Sequence, residues 1–263
     1  MSVKLFRPIS CLLAILLGCC WLMSGSSHAR ELTSLSSANR AGLHDQATGL
    51  ASFNWAGYIA DGAVGTFKAA SFTFTVPTLQ GQQGDHAAAW VGLGGGLTPS
   101  PRLVQAGVDS WIDDTGHQIN APFWEVVPGF TEQIVALNTN IQAGDQISVS
   151  VGSVGKDIFL INDLSTGSSA SFVVRGATHL TDGASAECIV ERPSVDRSLI
   201  PLAEFRAFAI SRCLVGASAT RVTALSNWSH RSLNIVNTSG QVLASAGPLS
   251  HGSGFSVFWD GRA

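Results

Sequence analysis

The sequence predicts an all-β sandwich, and two observations carry that expectation. From Ser52 onward, short segments rich in Val, Phe, Trp, Thr and Ile alternate with turns built from Gly, Asn, Asp and Pro. That regular spacing is the mark of a sandwich. Several segments also alternate between apolar and polar residues, as in Ser71-Phe72-Thr73-Phe74-Thr75-Val76 and Gln146-Ile147-Ser148-Val149-Ser150-Val151. Successive side chains of a strand point to opposite faces, so this pattern buries one face. Taken in order, strands are expected over Ala70 to Val76, Ala87 to Leu93, Leu103 to Ile112, Ala121 to Val127 and Gln133 to Leu137. They continue over Gln146 to Val151, Ile158 to Asn162, Ala170 to Val174, Ala186 to Glu191, Leu233 to Val236 and Phe255 to Trp259. Pro201 to Ile210 has room for one or two helical turns opened by Pro201, and the sequence leaves its conformation open. No composition shift interrupts 52–263, which reads as one domain.

Composition narrows the partners. The chain has 263 residues, 45% hydrophobic, which is enough for one large core or two small ones. Only 13% are charged, about half the usual share. The formal net charge is −3, with no basic block, which argues against nucleic acid and anionic membrane surfaces. Few ion pairs also leave little to lose by protonation, which fits tolerance of acid. At the N-terminus Lys4 and Arg7 precede an apolar run from Cys11 to Met23, and Ser27-His28-Ala29 offers a cleavage site. Residues 1–29 therefore read as a signal peptide. The run is short for a membrane span, and no later stretch is apolar enough to make one. The expected destination is secreted, extracellular or periplasmic, with no membrane contact after signal removal and a monomer as default. Leu16-Leu17-Gly18-Cys19 offers lipid anchoring at Cys19 as a minor alternative. Residues 30–51 read as a linker or short propeptide. Of the five cysteines, Cys188 and Cys213 follow the signal. In an oxidising compartment they either pair or remain two buried thiols. Asn227-Trp228-Ser229 and Asn237-Thr238-Ser239 match the N-glycosylation pattern, which has meaning only in a glycosylating host.

Three segments place polar groups on one face and apolar groups on the other. In Ser185 to Pro193, Glu187, Ile189 and Glu191 point one way, and Cys188 and Val190 point toward a core. The expected spacing of the two carboxylates is roughly 7 Å. In Leu103 to Asp109, the apolar face is Val104, Ala106 and Val108, and the other is Gln105, Gly107 and Asp109. A glycine inside a strand marks either close approach of a ligand or a bulge. In Phe123 to Pro128, Phe123, Glu125 and Val127 share a face. Trp55 and Trp90 sit among small residues in Asn54-Trp55-Ala56-Gly57-Tyr58 and Trp90-Val91-Gly92.

Several chemistries lack their residues. There is no Gly-x-Ser-x-Gly elbow, no cysteine nucleophile signature and no histidine spacing for a metal. Gly152-Ser153-Val154-Gly155-Lys156 is followed by Asp157 and so fails as a phosphate loop. Carboxylate acid–base chemistry, helped by an amide, is what remains.

The chain at this point resembles the glutamic peptidases, or eqolisins, which are secreted acid-acting endopeptidases. The matching pieces are Asn54 to Tyr58, Trp90-Val91-Gly92, Gln105 to Asp109, Trp124-Glu125 with Pro128, and Ala186-Glu187 with Ile189-Val190-Glu191. They occur in family order and span about Ser52 to Trp259. The resemblance implies a curved antiparallel β-sandwich of two sheets, lectin-like or jelly-roll-like in outline. It also implies a catalytic Gln105 and Glu187 acting on polypeptides without cofactor or metal. Glu187, ionised on an uncrowded face, would take a proton from water as general base and return it to the leaving nitrogen. The Gln105 amide would hold that water and then stabilise the oxyanion. Glu191 is the rival base. Asp109 and Glu125 are expected to tune the site or bind substrate, and Trp55, Trp90 and Phe123 to line the cleft. Four positions depart from the family: Cys188 stands for a Trp, Gly94 for an acidic residue, and Phe123 and Val127 for Trp and Tyr. Two other readings stay open. One is a non-catalytic carbohydrate- or peptide-binding sandwich. The other is a glycoside hydrolase using Glu187 and Glu191 at the wider, inverting separation.

Overall fold

A computed structural model describes residues 49–96, 102–127, 130–175, 181–195 and 198–261. The expected signal peptide, the Cys19 alternative, residues 30–48 and Pro128 lie outside the described residues. The strands are, in order, β1 (Leu50–Ser52), β2 (Trp55–Asp61), β3 (Ala69–Thr75), β4 (Leu79–Gln80), β5 (His86–Gly94), β6 (Leu103–Ile112) and β7 (Gln118–Val127). There follow β8 (Phe130–Ile134), β9 (Gln146–Ser153), β10 (Asp157–Asp163), β11 (Ser169–Val174), β12 (Ser185–Glu191), β13 (Ser194–Val195) and β14 (Ser198–Leu199). The last are β15 (Glu204–Phe205), β16 (Ala207–Ser218), β17 (Arg221–Ala224), β18 (His230–Val236), β19 (Val242–Ala246) and β20 (Phe255–Trp259).

Most of them hydrogen-bond along one path, β11-β10-β9-β3-β16-β20-β19-β18-β2-β12-β5-β6-β7-β8. The path doubles back, so that β5 lies over β3 and β9, and β12 over β3 and β16. The two layers of the sandwich are thus joined through β20, β19, β18 and β2. The ladders are antiparallel apart from β1, which pairs in parallel with β18.

The core lies between the layers. Phe72, Phe74, Val149, Phe159 and Phe208 come from one layer, and Val91, Val104, Ala106, Cys188 and Val190 from the other. In β3 the alternation read from the sequence appears directly: Phe72 and Phe74 are buried, and Ser71, Thr73 and Thr75 on either side of them are half-buried. A disulfide joins Cys188 of β12 to Cys213 of β16 and ties the layers through the core. This accounts for a small residue in place of a Trp at 188.

Pro201 to Ile210 holds no helix. It forms β15 and the start of β16, where Phe208 and Ile210 are buried and Ala209 is exposed, a period of two. The fifth expected strand sits earlier than Gln133 to Leu137, at β8. Strand structure begins at Leu50, two residues inside the expected linker. β2 escapes an alternation search because Ala56 to Ala60 are all buried, so both its faces read as interior.

Candidate active site

A second apolar cluster covers the other face of β2, β12, β5, β6 and β7. It contains Ile59, Ala88, Trp90, Leu103, Phe123, Val127, Ile189 and Leu233, with Trp55 packed against it. All three aromatic residues expected to line a cleft are therefore on this face. Trp55 and Trp90 meet edge to face at 5.1 Å between centroids.

Strand register puts the polar residues on the same face. Glu187 of β12 pairs with Gly92 of β5. Gly92 pairs with Gln105 of β6, and Gln105 with Glu125 of β7. Directly paired residues point to the same side of a sheet. Glu187, Gly92, Gln105 and Glu125 therefore form one transverse row, with strands about 4.8 Å apart. Gly92 contributes no side chain between the two groups. A Cβ there would lie 2.8 Å from Leu103 Cδ1 and 3.0 Å from the Trp90 ring.

Each polar group has a distinct environment. The Gln105 amide donates from Nε2 to Glu125 Oε2 at 2.6 Å. Its Oε1 is enclosed and accepts no hydrogen bond. Burial pushes the Glu125 carboxyl up to about 7, only partly opposed by the Gln105 hydrogen bond. Glu187 has no exposed area, and neither carboxyl oxygen has a well-formed hydrogen bond. Burial raises its pKa well above the ordinary range. Ser185 pulls slightly back, Asp182 and Asp61 add to the rise, and Arg231 opposes it. The Ser185 hydroxyl itself accepts from the Gly96 N–H at 3.1 Å. Glu187 is therefore enclosed rather than on the uncrowded face expected from the sequence, and its raised pKa favours the protonated form.

Glu191, the rival, is already occupied. It accepts from Trp90 Nε1 at 2.6 Å and from Asn54 Nδ2 at 3.1 Å. Burial raises it to about 7, eased by Trp90 and increased by the charge of Glu125. Ile189 stands between it and Glu187 on the same face. Four residues of strand separate the two backbones by about 13 Å, not the expected 7 Å. That also removes the spacing on which the glycoside hydrolase reading depended. Asp109 lies near the far end of the face, 3.4 Å from His86 Nδ1.

The glycines have structural explanations. Gly107 pairs with Trp90, and a Cβ on it would collide with the Ala89 carbonyl and the Trp90 backbone. The close approach at this glycine is thus that of the neighbouring strand β5. Gly94 has φ +80°, and a Cβ there would strike the Arg102 carbonyl and Thr181 Oγ1. No acidic side chain fits at 94.

Sequence reasoning singled out Glu187, Gln105 and Glu125 but gave no role to Arg231 or Asp61, which also bear on Glu187 electrostatically. Only the register of β18 and β2 brings them near, and no local motif marks that pairing.

One face of the sandwich thus holds the buried amide of Gln105 and the buried carboxyl groups of Asp109, Glu125 and Glu187. Comparison with known proteins is more specific. The family model described as the Peptidase A4 family matches residues 53–257. The chain belongs to that family and is a glutamic-type endopeptidase. Its fold is shared with scytalido-glutamic peptidase, solved with a peptide-based transition state analog. That pair has 23% identity and a TM-score of 0.66, over 79% of this chain and 98% of that one. SCP-B, an eqolisin solved with the tripeptide Ala-Ile-His, matches at 22% and 0.63 over the same shares, 79% and 98%. Aspergilloglutamic peptidase from Aspergillus niger matches at 24% and 0.57, over 67% of this chain and 99% of that one. No match was found among curated proteins.

Proposed function

We propose that this endopeptidase is secreted and acts in acid, with Gln105 and Glu187 working on one water molecule and no covalent intermediate. The observation that carries this reading is the single row Glu187, Gly92, Gln105, in which an acid and an amide flank a residue without a side chain. The direction of the Glu187 shift supports a proton-bearing acid in acidic solution, rather than the ionised base expected from the sequence.

A neutral carboxyl can work at both oxygens. Its O–H donates to the scissile carbonyl oxygen while its other oxygen takes a proton from the attacking water. One C–O bond forms, a geminal diol results, and Glu187 remains neutral. In the second step Glu187 protonates the amide nitrogen and accepts a proton from the diol as the C–N bond breaks. Gln105 Oε1 is free to accept from the water. The second N–H of its Nε2, the first being held by Glu125, can stabilise developing charge on the carbonyl oxygen. Because Glu187 has no exposed area, substrate reaches it only by displacing the groups packed over it.

Hydrolysis of denatured protein across the acid range tests this reading. Wild-type activity that persists in both Gln105→Ala and Glu187→Gln removes these roles.

A further inference from the structure

The transverse row continues past Glu187. Ile59 of β2 pairs with Glu187 on one side and with Arg231 of β18 on the other. Arg231 therefore points to the same face as Glu187, two strand spacings away. Gln105 stands two spacings away on the opposite side. Glu187 lies between an amide and a cation.

The guanidinium is only partly engaged. Arg231 Nη2 donates to Asp61 Oδ1 at 2.6 Å. The two side chains keep 23% and 37% of their exposure, so the pair is reachable from solvent. Arg231 Nε is enclosed and has no hydrogen-bond partner. A guanidinium offers five N–H donors in a planar fork, well matched to a carboxylate. A purely structural ion pair explains the bond to Asp61 but leaves the enclosed Nε unexplained, since an unpaired buried donor is costly.

We propose that Arg231 is a substrate-binding residue that takes a carboxylate of the peptide to one side of the scissile bond. Two strand spacings are roughly 10 Å, the length of about three extended residues. The carboxylate is then an Asp or Glu side chain about three residues from the cleaved bond, or the C-terminal carboxylate of a short substrate. The proposal rests on the peptidase reading of the same face.

The test compares matched peptides at about pH 5, where such carboxylates are ionised. One pair carries Glu or Gln three residues from the bond, placed on either side in turn. The other pair ends at that position with a free or an amidated C-terminus. The readout is the ratio of kcat/KM within each pair, in the wild type, Arg231→Gln and Asp61→Asn. The wild type should favour the carboxylate about tenfold, in the first pair if the source is a side chain and in the second if it is the terminus. Arg231→Gln should bring the ratio near one. Asp61→Asn, which frees the guanidinium, should raise it, and this variant decides the matter if Arg231→Gln does not fold. A wild-type ratio near one in both pairs, or a preference that Arg231→Gln leaves intact, overturns the proposal. If no peptide is cleaved, the peptidase reading fails instead. Calorimetric binding of the same pairs to wild type and Arg231→Gln then decides the role of Arg231 by the same ratios.

Discussion

Glu187 is at once the most buried and the least hydrogen-bonded acid of its row, and its proton is what the proposed reaction uses. Two expectations follow at the residue scale. Glu187→Gln and Gln105→Ala should each lower kcat at least about 10²-fold, on the scale of losing an oxyanion donor, measured below the melting temperature of each folded variant. The pH–rate profile should fall as pH rises through a pKa above the usual glutamate range, because the active form holds the proton. A rate that instead climbs from low pH with an ordinary carboxylate pKa would mean that Glu187 works ionised. Glu191 illustrates why residue type alone does not select the acid. It has the same chemistry on the same face, but Trp90 and Asn54 already occupy its oxygens.

At the scale of elements, close backbone packing fixes the site. Gly57 of β2 has φ +136°, and a Cβ on it would strike the Cys188 carbonyl of β12, one residue from Glu187. Gly57→Ala should therefore cost about 3 kcal/mol or more, read as a lowered urea midpoint with unchanged slope. The bond between Cys188 and Cys213 closes a separation of 25 residues. The Cys188→Ala/Cys213→Ala double variant should lose about 3 kcal/mol in the chain-entropy model. An unchanged urea midpoint would show that this pair does not constrain the unfolded chain. Strands with one buried face, such as β3 and β9, were legible because their alternation survives in the sequence. β2 was not, because both its faces are covered.

For the whole molecule, acid is the condition that suits the buried carboxyls. Glu125 and Glu191 are raised to about 7 by burial, and Glu187 is raised as well. Below the unfolded glutamate pKa, near 4.3, both states are protonated and the full stability is present. As pH rises further, the unfolded chain releases these protons and the folded chain holds them. Stability therefore falls up to and through about pH 7, where the folded groups ionise against one another. Urea unfolding at a series of pH values should show highest stability in acid and a decline toward neutrality. A maximum at neutral pH would contradict the buried placement of these acids.

The sequence by itself determined the class of fold, the strand faces that carry Gln105, Glu125, Glu187 and Glu191, and the order of motifs that marks the family. These depend on periods of two and on short local patterns, which a linear chain displays. The tertiary structure alone decided that Gln105 and Glu187 share a row, that Cys188 bonds to Cys213, that Glu187 is buried, and that Arg231 stands on its other side. Each of these is set by strand register and layer packing between residues far apart in the chain, where pairing energies are spread over whole ladders and no single residue records its partner.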